Sequence, residues 1–272
     1  MKKVLIAAWL LSGGLLIFLF GSPYYTIFPT NNNQSYYLSL TLLFGILAWS
    51  LKRSRAWTRY WQAAFAFFIA ASTLLFLRTG VLNFPVDLLN PVRDLALNKV
   101  GQALHIVPVI LLMTFLVRED LKSLYIARGN LRAGLTFGLI SFVGFTIASI
   151  VIELPSEELG GNLVTYLPWI LLLVFTNAAM EELWFRAIFL KKFEALVGRW
   201  PAIILTSIVF GISHISATYA FPGGGWVFGG VVFGLGCVSA NAMMKDESIL
   251  GPILFHAGYD LMIIVPILQS VS

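Results

Sequence analysis

Two adjacent carboxylates, Glu181 and Glu182, interrupt a long apolar run in the last third of the chain. Arg186 follows Glu182 at i, i+4, so the two can pair on one face of a helix, whereas Glu181 lies about 100° further round. Asn177 precedes Glu181 by one turn and is a candidate hydrogen-bond partner and substrate contact. The spacing predicts that one carboxylate is neutralised while the other faces a cavity, where it can act as a general base.

Two histidine motifs follow at the same spacing. Phe210 precedes His214 by four residues, and His256 precedes Asp260 by four, so each pair shares a helix face. An aspartate one turn from a histidine can fix its tautomer or join it as a second metal ligand. Either motif alone is more typical of a structural contact between helices. Their occurrence together with the carboxylates favours one chemical site, with Phe210 as a candidate substrate contact.

The composition indicates that these motifs lie in a membrane protein. The chain has 272 residues, of which 58% are hydrophobic and 11% charged, and its mean hydropathy is +0.85. A soluble globular chain is nearer a quarter charged. Ionisable side chains at membrane depth are costly and are functional candidates by default. His105 is the exception, because it has no polar partner nearby in the sequence, and we interpret it as structural.

The apolar runs predict an all-α polytopic bundle of eight to nine spans, since a crossing helix needs about 20 mostly apolar residues. The first run, after Lys2 and Lys3, is interpreted as an uncleaved anchor; without it eight spans remain. Residues 1–160 form transmembrane helices without a recognisable motif, and 161–272 form the catalytic core. The spans are predicted near residues 4–20, 36–51, 61–77, 104–117, 134–152, 164–190, 200–217, 226–244 and 248–268.

The basic residues predict an N-in, C-out orientation. Cytoplasmic loops are enriched in Lys and Arg. With the N-terminus inside, 15 of the 18 basic residues fall on the inside, whereas Arg78, Arg93 and Lys99 fall in an outside loop predicted over 78–103. The net charge of +5 is therefore assigned to anionic lipid headgroups rather than to nucleic acid. We expect a multi-pass protein of the plasma membrane, and its single cysteine, Cys237, excludes an internal disulfide.

The span that carries the carboxylates is predicted to be long, tilted or broken. As one straight helix over 164–195 it would be about 48 Å long, more than the hydrocarbon thickness of about 30 Å. Placing Glu181 near mid-depth lets Glu181, His214 and His256 converge on one water-accessible cavity. The glycine-rich span over 226–244 is expected to pack closely on the catalytic helices, with a substrate groove as the alternative.

The three motifs together resemble a known family of membrane proteases. Glu-Glu-x-x-x-Arg, Phe-x-x-x-His and His-x-x-x-Asn/Asp, in this order over roughly residues 165–266, are similar to the pattern of the CaaX-protease and bacteriocin-processing family (CPBP, or Abi). That family includes the type II CaaX prenyl endopeptidase. Other membrane-protease signatures are missing from the sequence: there is no His-Glu-x-x-His zinc motif, no intramembrane aspartate pair and no Gly-x-Ser-x-Gly elbow.

The resemblance implies a role for each motif residue. Glu181 is expected to activate water, alone or with Glu182. His214 is expected to share that water or to stabilise the oxyanion. His256 and Asp260 correspond to the oxyanion-stabilising pair, although many members have Asn where this chain has Asp260, and a carboxylate donates to an oxyanion only when it is protonated.

The sequence leaves the cofactor and the function open between alternatives. Glu181, His214 and His256 can be combined into a Zn²⁺ site with a position for water, or the chemistry can depend on glutamate without a tightly held metal. The lead interpretation is an intramembrane endopeptidase that cleaves a prenylated C-terminus or a hydrophobic, bacteriocin-related peptide. The alternative is a non-enzymatic immunity or scaffold protein, or a small proton-coupled transporter. The expected partners are membrane lipids and a membrane-embedded peptide or lipidated protein.

Overall fold

All regular structure that the computed structural model describes is helical. The described residues are 2–21, 33–85, 90–153, 159–215 and 223–269. The all-α class expected from the apolar runs is therefore confirmed. The α-helices are α1 (Lys2–Phe18), α2 (Asn33–Arg53), α3 (Trp61–Leu77), α4 (Pro91–Leu116), α5 (Leu131–Glu153), α6 (Leu159–Glu181), α7 (Leu190–Val197), α8 (Arg199–Ser213), α9 (Gly224–Asp246) and α10 (Leu250–Gln269).

Four segments in the described ranges are long and apolar enough to cross a membrane. They are Thr58–Leu77, Pro91–Leu116, Leu131–Val151 and Gly224–Asp246, while α8 and Leu250–Ile264 of α10 are apolar but shorter. The structure thus supports an integral membrane protein. The count of eight to nine spans and the N-in, C-out orientation stay predictions.

Helix α4 starts earlier than the sequence suggested. The outside loop predicted over 78–103 gives way to helix at Pro91, because Asn90 caps it by accepting a hydrogen bond from the Arg93 backbone N–H at 2.9 Å and proline suits the first helical position. Lys99 is consequently a helical residue, not a loop residue. His105 accepts from the Leu82 N–H at 3.3 Å and contacts the Gly101 carbonyl at 2.7 Å, which fits a structural role.

The carboxylate-bearing helix is broken immediately after its first glutamate. Helix α6 ends at Glu181, a π-helical turn covers Glu182–Ala187, and α7 begins at Leu190. Within this turn the Ile188 N–H donates to the Leu183 carbonyl at 3.3 Å, one residue further back than in an α-helix. Such π-turns are frequent at functional sites because they redirect neighbouring side chains.

The connections that carry most of the basic residues meet at one end of the bundle. The Lys191 ammonium donates to the Lys122 carbonyl at 2.8 Å and to Glu247 at 2.6 Å, and the Ile249 N–H donates to the Tyr125 carbonyl at 3.0 Å. We call the end formed by these connections the basic end; it comprises residues 52–60, 117–130, 190–199 and 245–249.

The start of α3, which follows the basic connection 54–60, lies at the same end. Phe67, in the first half of α3, packs on Phe193 of α7 with ring centroids 5.8 Å apart. Further along α3, Thr73 accepts from the Trp184 indole N–H at 2.9 Å, and Trp184 belongs to the π-turn. Helix α3 therefore runs from the basic end towards the middle of the bundle.

Helices α5 and α10 approach each other through glycines. A Cβ at Gly251 would lie 2.7 Å from the Gly134 carbonyl oxygen, and a Cβ at Gly258 would lie 2.9 Å from the Phe142 Cα. Glycine at these positions therefore permits backbone contact between the helices. Because α10 carries His256 and Asp260, this contact fixes the position of the backbone that bears both side chains.

We predict that Gly251→Ala lowers the free energy of unfolding by about 1–3 kcal/mol, because the added methyl meets backbone that cannot move freely. Gly144→Ala, in α5, is the matched control: no atom lies within 4 Å of its Cβ position. The control should be neutral or up to about 1 kcal/mol more stable, since alanine favours helix. Thermal unfolding of both purified variants in detergent measures the difference; equal stability would contradict the close packing.

Candidate active site

Glu182 is the centre of a buried charged network. Its Oε1 accepts from the Arg186 Nη1 at 2.6 Å and from the His256 Nδ1 at 2.7 Å, and its Oε2 accepts from the Ser239 hydroxyl at 2.7 Å. Neither Glu182 nor Arg186 has any exposed side-chain surface. The i, i+4 pairing expected for these two residues is present, and it ties the π-turn to α9 and α10.

The Arg186 guanidinium lies in a closely fitted space. It stacks over the Phe210 ring at 4.1 Å from the centroid, an arrangement that stabilises a desolvated cation. A Cβ at Gly236 of α9 would lie 3.2 Å from the Arg186 Nη2 and 3.2 Å from Ser207. Glycine at position 236 therefore leaves the room that the guanidinium occupies.

Glu181 points away from this network and towards two imidazoles. Its Oε2 lies 3.7 Å from the His214 Nε2 and 3.6 Å from the His256 Nε2, while its Oε1 lies 3.6 Å from the Lys99 ammonium. Within the described part of the chain, Oε2 makes no hydrogen bond although it is buried. The two glutamates therefore differ in their surroundings. Glu182 is hydrogen-bonded through both oxygens, whereas Glu181 presents one oxygen without a hydrogen bond.

Both histidines are oriented by an acceptor at Nδ1. The His214 Nδ1 lies 2.8 Å from the Phe210 carbonyl, and the His256 Nδ1 lies 2.7 Å from the Glu182 carboxylate. Because a carbonyl and a carboxylate only accept, each Nδ1 carries the proton and donates. Each Nε2 is thereby left for the cavity, where it accepts when the ring is neutral and donates when it is protonated.

Asp260 completes the cluster from the next turn of α10. Its Oδ1 lies 3.6 Å from the His256 Nε2, and its Oδ2 accepts from the Asn177 amide at 2.9 Å. The predicted neighbour of Glu181, Asn177, is thus a direct partner of Asp260. Phe210, named as a substrate contact, is 1% exposed and packs beneath Arg186 and both histidines, so it shapes the site more than it offers surface.

A cavity of about 310 Å³ opens in front of the free glutamate oxygen. Its polar wall includes Glu181, both histidines and Asp260, and α4 contributes Asn98, Lys99 and Gln102. Its apolar wall is provided by Leu95, Leu173, Phe228, Val232, Ile263 and Ile264.

Three residues of the site were not among the sequence candidates. Lys99 was assigned to a loop, although the Asn-Pro cap and the polar positions 98, 99 and 102 at helical spacing carry the signal of a polar face on α4. Ser239 lies in the glycine-rich span predicted over 226–244 and has no motif of its own. Tyr259 stacks on the His256 ring with centroids 4.5 Å apart and planes at 15°, and its i, i+3 spacing from His256 was the signal for this contact.

The residues nominated as zinc ligands, Glu181, His214 and His256, meet at this cavity. Within the described ranges, however, no group of three or more His, Cys, Asp or Glu side chains is arranged to hold a metal ion. The Lys99 ammonium lies 3.6 Å from the Glu181 Oε1 and places a positive charge beside this carboxylate.

A helical membrane bundle with a free carboxylate, two oriented imidazoles and a cavity has the parts of a hydrolytic site. Residues 163–262 match the protein-family model described as Type II CAAX prenyl endopeptidase Rce1-like. This match confirms the resemblance drawn from the three motifs and indicates a membrane protease. Comparison with curated proteins and with solved structures gave no match. The motif residues all lie inside the matched range, whereas Lys99 lies outside it.

We predict that Arg186→Ala lowers the free energy of unfolding by about 3–5 kcal/mol, because Glu182 then remains buried without its ion-pair partner. Arg199→Ala is the matched control, since Arg199 is only partly buried and hydrogen-bonds Asn241 at 3.0 Å. Losing this hydrogen bond should lower the free energy of unfolding by no more than about 1.5 kcal/mol. Folded yield and thermal unfolding of the purified variants report both effects; an Arg186→Ala protein as stable as Arg199→Ala would refute the network's structural role.

Proposed function

We propose that the protein is an intramembrane endopeptidase in which Glu181 activates the attacking water. The observation that carries this proposal is the position of the Glu181 Oε2: buried, without a hydrogen bond in the described chain, and within 3.7 Å of the Nε2 atoms of His214 and His256. A general base must lie within reach of the proton it removes, directly or through one water. A water beside Oε2 meets this requirement and is held on its other sides by the two imidazoles.

The proposed reaction uses one proton transfer in each direction. Glu181 takes a proton from water as the water oxygen attacks the scissile carbonyl carbon, which gives a tetrahedral intermediate with a negative oxygen. The same carboxyl then returns the proton to the amide nitrogen as the C–N bond breaks. Glu181 is regenerated as a carboxylate, and the products are a carboxylic acid and an amine. His214, whose Nε2 faces the same oxygen, orients the water.

His256 is assigned to stabilise the developing oxyanion. Its Nδ1 proton is held by Glu182, and its Nε2 lies 3.6 Å from both Asp260 and Glu181, so these two carboxylates favour a second proton at Nε2. A donor fixed before the reaction stabilises the transition state without reorganisation. The contact of Asn177 with Asp260 holds that carboxylate in place, and stacking on Tyr259 fixes the plane of the ring.

Lys99 is assigned a positioning role. Its ammonium lies 3.6 Å from the Glu181 Oε1, the oxygen opposite the one that faces the histidines. This contact favours the ionised carboxylate and keeps Oε2 directed at the cavity. The positive charge comes from α4, a helix outside the region that matches the protease family.

The apolar wall supports a membrane-associated peptide as the substrate. Leu95, Leu173 and Ile264 line the cavity together with Glu181, the two histidines and Asp260. Ligand sites of this type combine apolar walls with a few placed polar groups. A hydrophobic peptide segment or a lipidated C-terminus satisfies this chemistry, and the endopeptidase would cut it beside its apolar part.

We predict that Glu181→Gln folds normally but loses about 10²–10⁴-fold in kcat/KM, because an amide cannot take a proton from water at neutral pH. Glu194→Gln makes the same chemical change on an exposed carboxylate of α7 and should keep full activity. Cleavage of a fluorogenic apolar peptide by purified variants with matched folded fractions measures the loss. A fully active Glu181→Gln enzyme would rule out the proposed base, and no cleavage by any variant would favour the non-enzymatic scaffold.

We predict that Lys99→Met lowers kcat by about 10-fold to 100-fold without a loss of thermal stability. A unit charge about 4 Å away contributes roughly 1–4 kcal/mol across the range of screening at a partly exposed site. Lys99→Arg should restore most of the activity because it keeps the charge, whereas Gln102→Met, one turn along the same wall, should change kcat only a few-fold. An inactive Lys99→Arg together with an active Lys99→Met would exclude an electrostatic role.

A further inference from the structure

The cavity lies in the half of the bundle that is farther from the basic end, as the helices that line it show independently. On α4, the lining residues run from Leu95 to Gln102, in the first half of a helix that ends at Leu116 beside the basic end. On α8, which begins at the basic end with Arg199, the lining residues are among the last, Phe210 and His214.

Helices α9 and α10 also place the cavity away from the basic end. Helix α9 starts at the opposite end, and its lining residues, Phe228 and Val232, belong to its first half, whereas Lys245 is near its end. Helix α10 starts beside the basic end at Leu250, and its lining residues run away from that end, from His256 to Ile264. These four helices, which run in both directions, place the cavity on the same side of the bundle's middle. On α6 the lining residues, Leu173, Asn177 and Glu181, are the last before the π-turn, so the cavity reaches towards the middle.

The two ends of the bundle differ sharply in charge. Among the described residues, the connections at the end opposite the basic end include 19–21, 78–85 and 90, which contain one Lys or Arg, Arg78, and Arg93 follows in the first turn of α4. The basic end instead holds the Lys and Arg residues of four connections. Short loops rich in Lys and Arg remain in the cytoplasm, and this bias sets the orientation of a membrane protein. This bias predicts that the cavity belongs to the non-cytoplasmic half.

We propose that substrates reach the site from the non-cytoplasmic side, and that they are apolar peptide segments exposed there rather than lipidated C-termini of cytosolic proteins. This inference rests on the proposed endopeptidase function and narrows its substrate class. A lipidated C-terminus made in the cytosol would meet the basic end. The π-turn, α7 and the Glu182 network lie between that end and the cavity. A segment at the opposite face meets Leu95, Ile263 and Ile264 first, and the polar cluster next.

The access side can be measured without any substrate. In a Cys237→Ser background, Asn98→Cys places a thiol on the exposed, cavity-lining face of α4, and Arg128→Cys places one on the exposed surface of the basic end. We expect a membrane-impermeant maleimide to label Asn98→Cys in intact cells and Arg128→Cys only after permeabilisation. The reverse pattern, or labelling of Asn98→Cys only after permeabilisation, would overturn the inference.

The substrate side is tested with paired reporters. Each is a single-span protein with a short randomised segment next to its apolar anchor, and the two pools present that segment on opposite sides of the membrane. We expect cleavage of the non-cytoplasmic pool alone, abolished by Glu181→Gln. Cleavage of the cytoplasmic pool alone would reject the access side while keeping the endopeptidase. If neither pool is cleaved and Glu181→Gln equals the parent protein, the proposed function itself fails.

Discussion

Burying the Glu182 carboxylate in a low-dielectric bundle is the constraint on which the site depends. A carboxylate without partners at this depth is strongly unfavourable, so it requires a cation and further donors. Arg186 supplies the charge, and His256 and Ser239 supply the remaining hydrogen bonds. Because these donors come from the π-turn, α10 and α9, satisfying one carboxylate also sets how three elements pack. The stacking of Arg186 on Phe210 extends the same constraint to α8.

The paired carboxylate also determines what its neighbour can do. Adjacent residues on a helix point in different directions, and Glu181 is the last residue of α6 before the π-turn begins. Its oxygen therefore faces the cavity while Glu182 faces the protein interior. Two buried carboxylates could not both remain unpaired, since each carries a large desolvation cost. The two glutamates of the sequence Glu-Glu-x-x-x-Arg therefore differ in role. Glu182 holds the helices and His256 in place, and Glu181 keeps one oxygen atom free in the cavity.

Much of this site was predictable from spacing, because i, i+4 pairs on a helix share a face wherever the helix lies. The Glu182–Arg186 pair, and the meeting of Glu181 with His214 and His256, follow from that rule together with the cost of isolated polar groups in a membrane. Length alone predicted that this helix is long, tilted or broken, since a straight helix would have been too long for the bilayer, but it did not place a break after Glu181. Which further residues join the cluster from distant parts of the chain was not predictable, because periodicity on one helix does not say which helix it faces. Lys99 and Ser239 belong to this class.

The division of the chain at residue 160 describes where the motifs lie, not where the site ends. Helix α4 packs on α6 and provides one wall of the cavity together with the cation beside Glu181. Without α4, the α6 face that carries Asn177 and Glu181 would meet lipid, which offers neither a hydrogen bond nor a charge. Catalytic motifs concentrated in one half of a membrane chain therefore do not make the other half a passive anchor. In this bundle, the motif-bearing helices hold Glu181 and the two histidines, and a helix without a recognisable motif encloses them and places a cation beside Glu181.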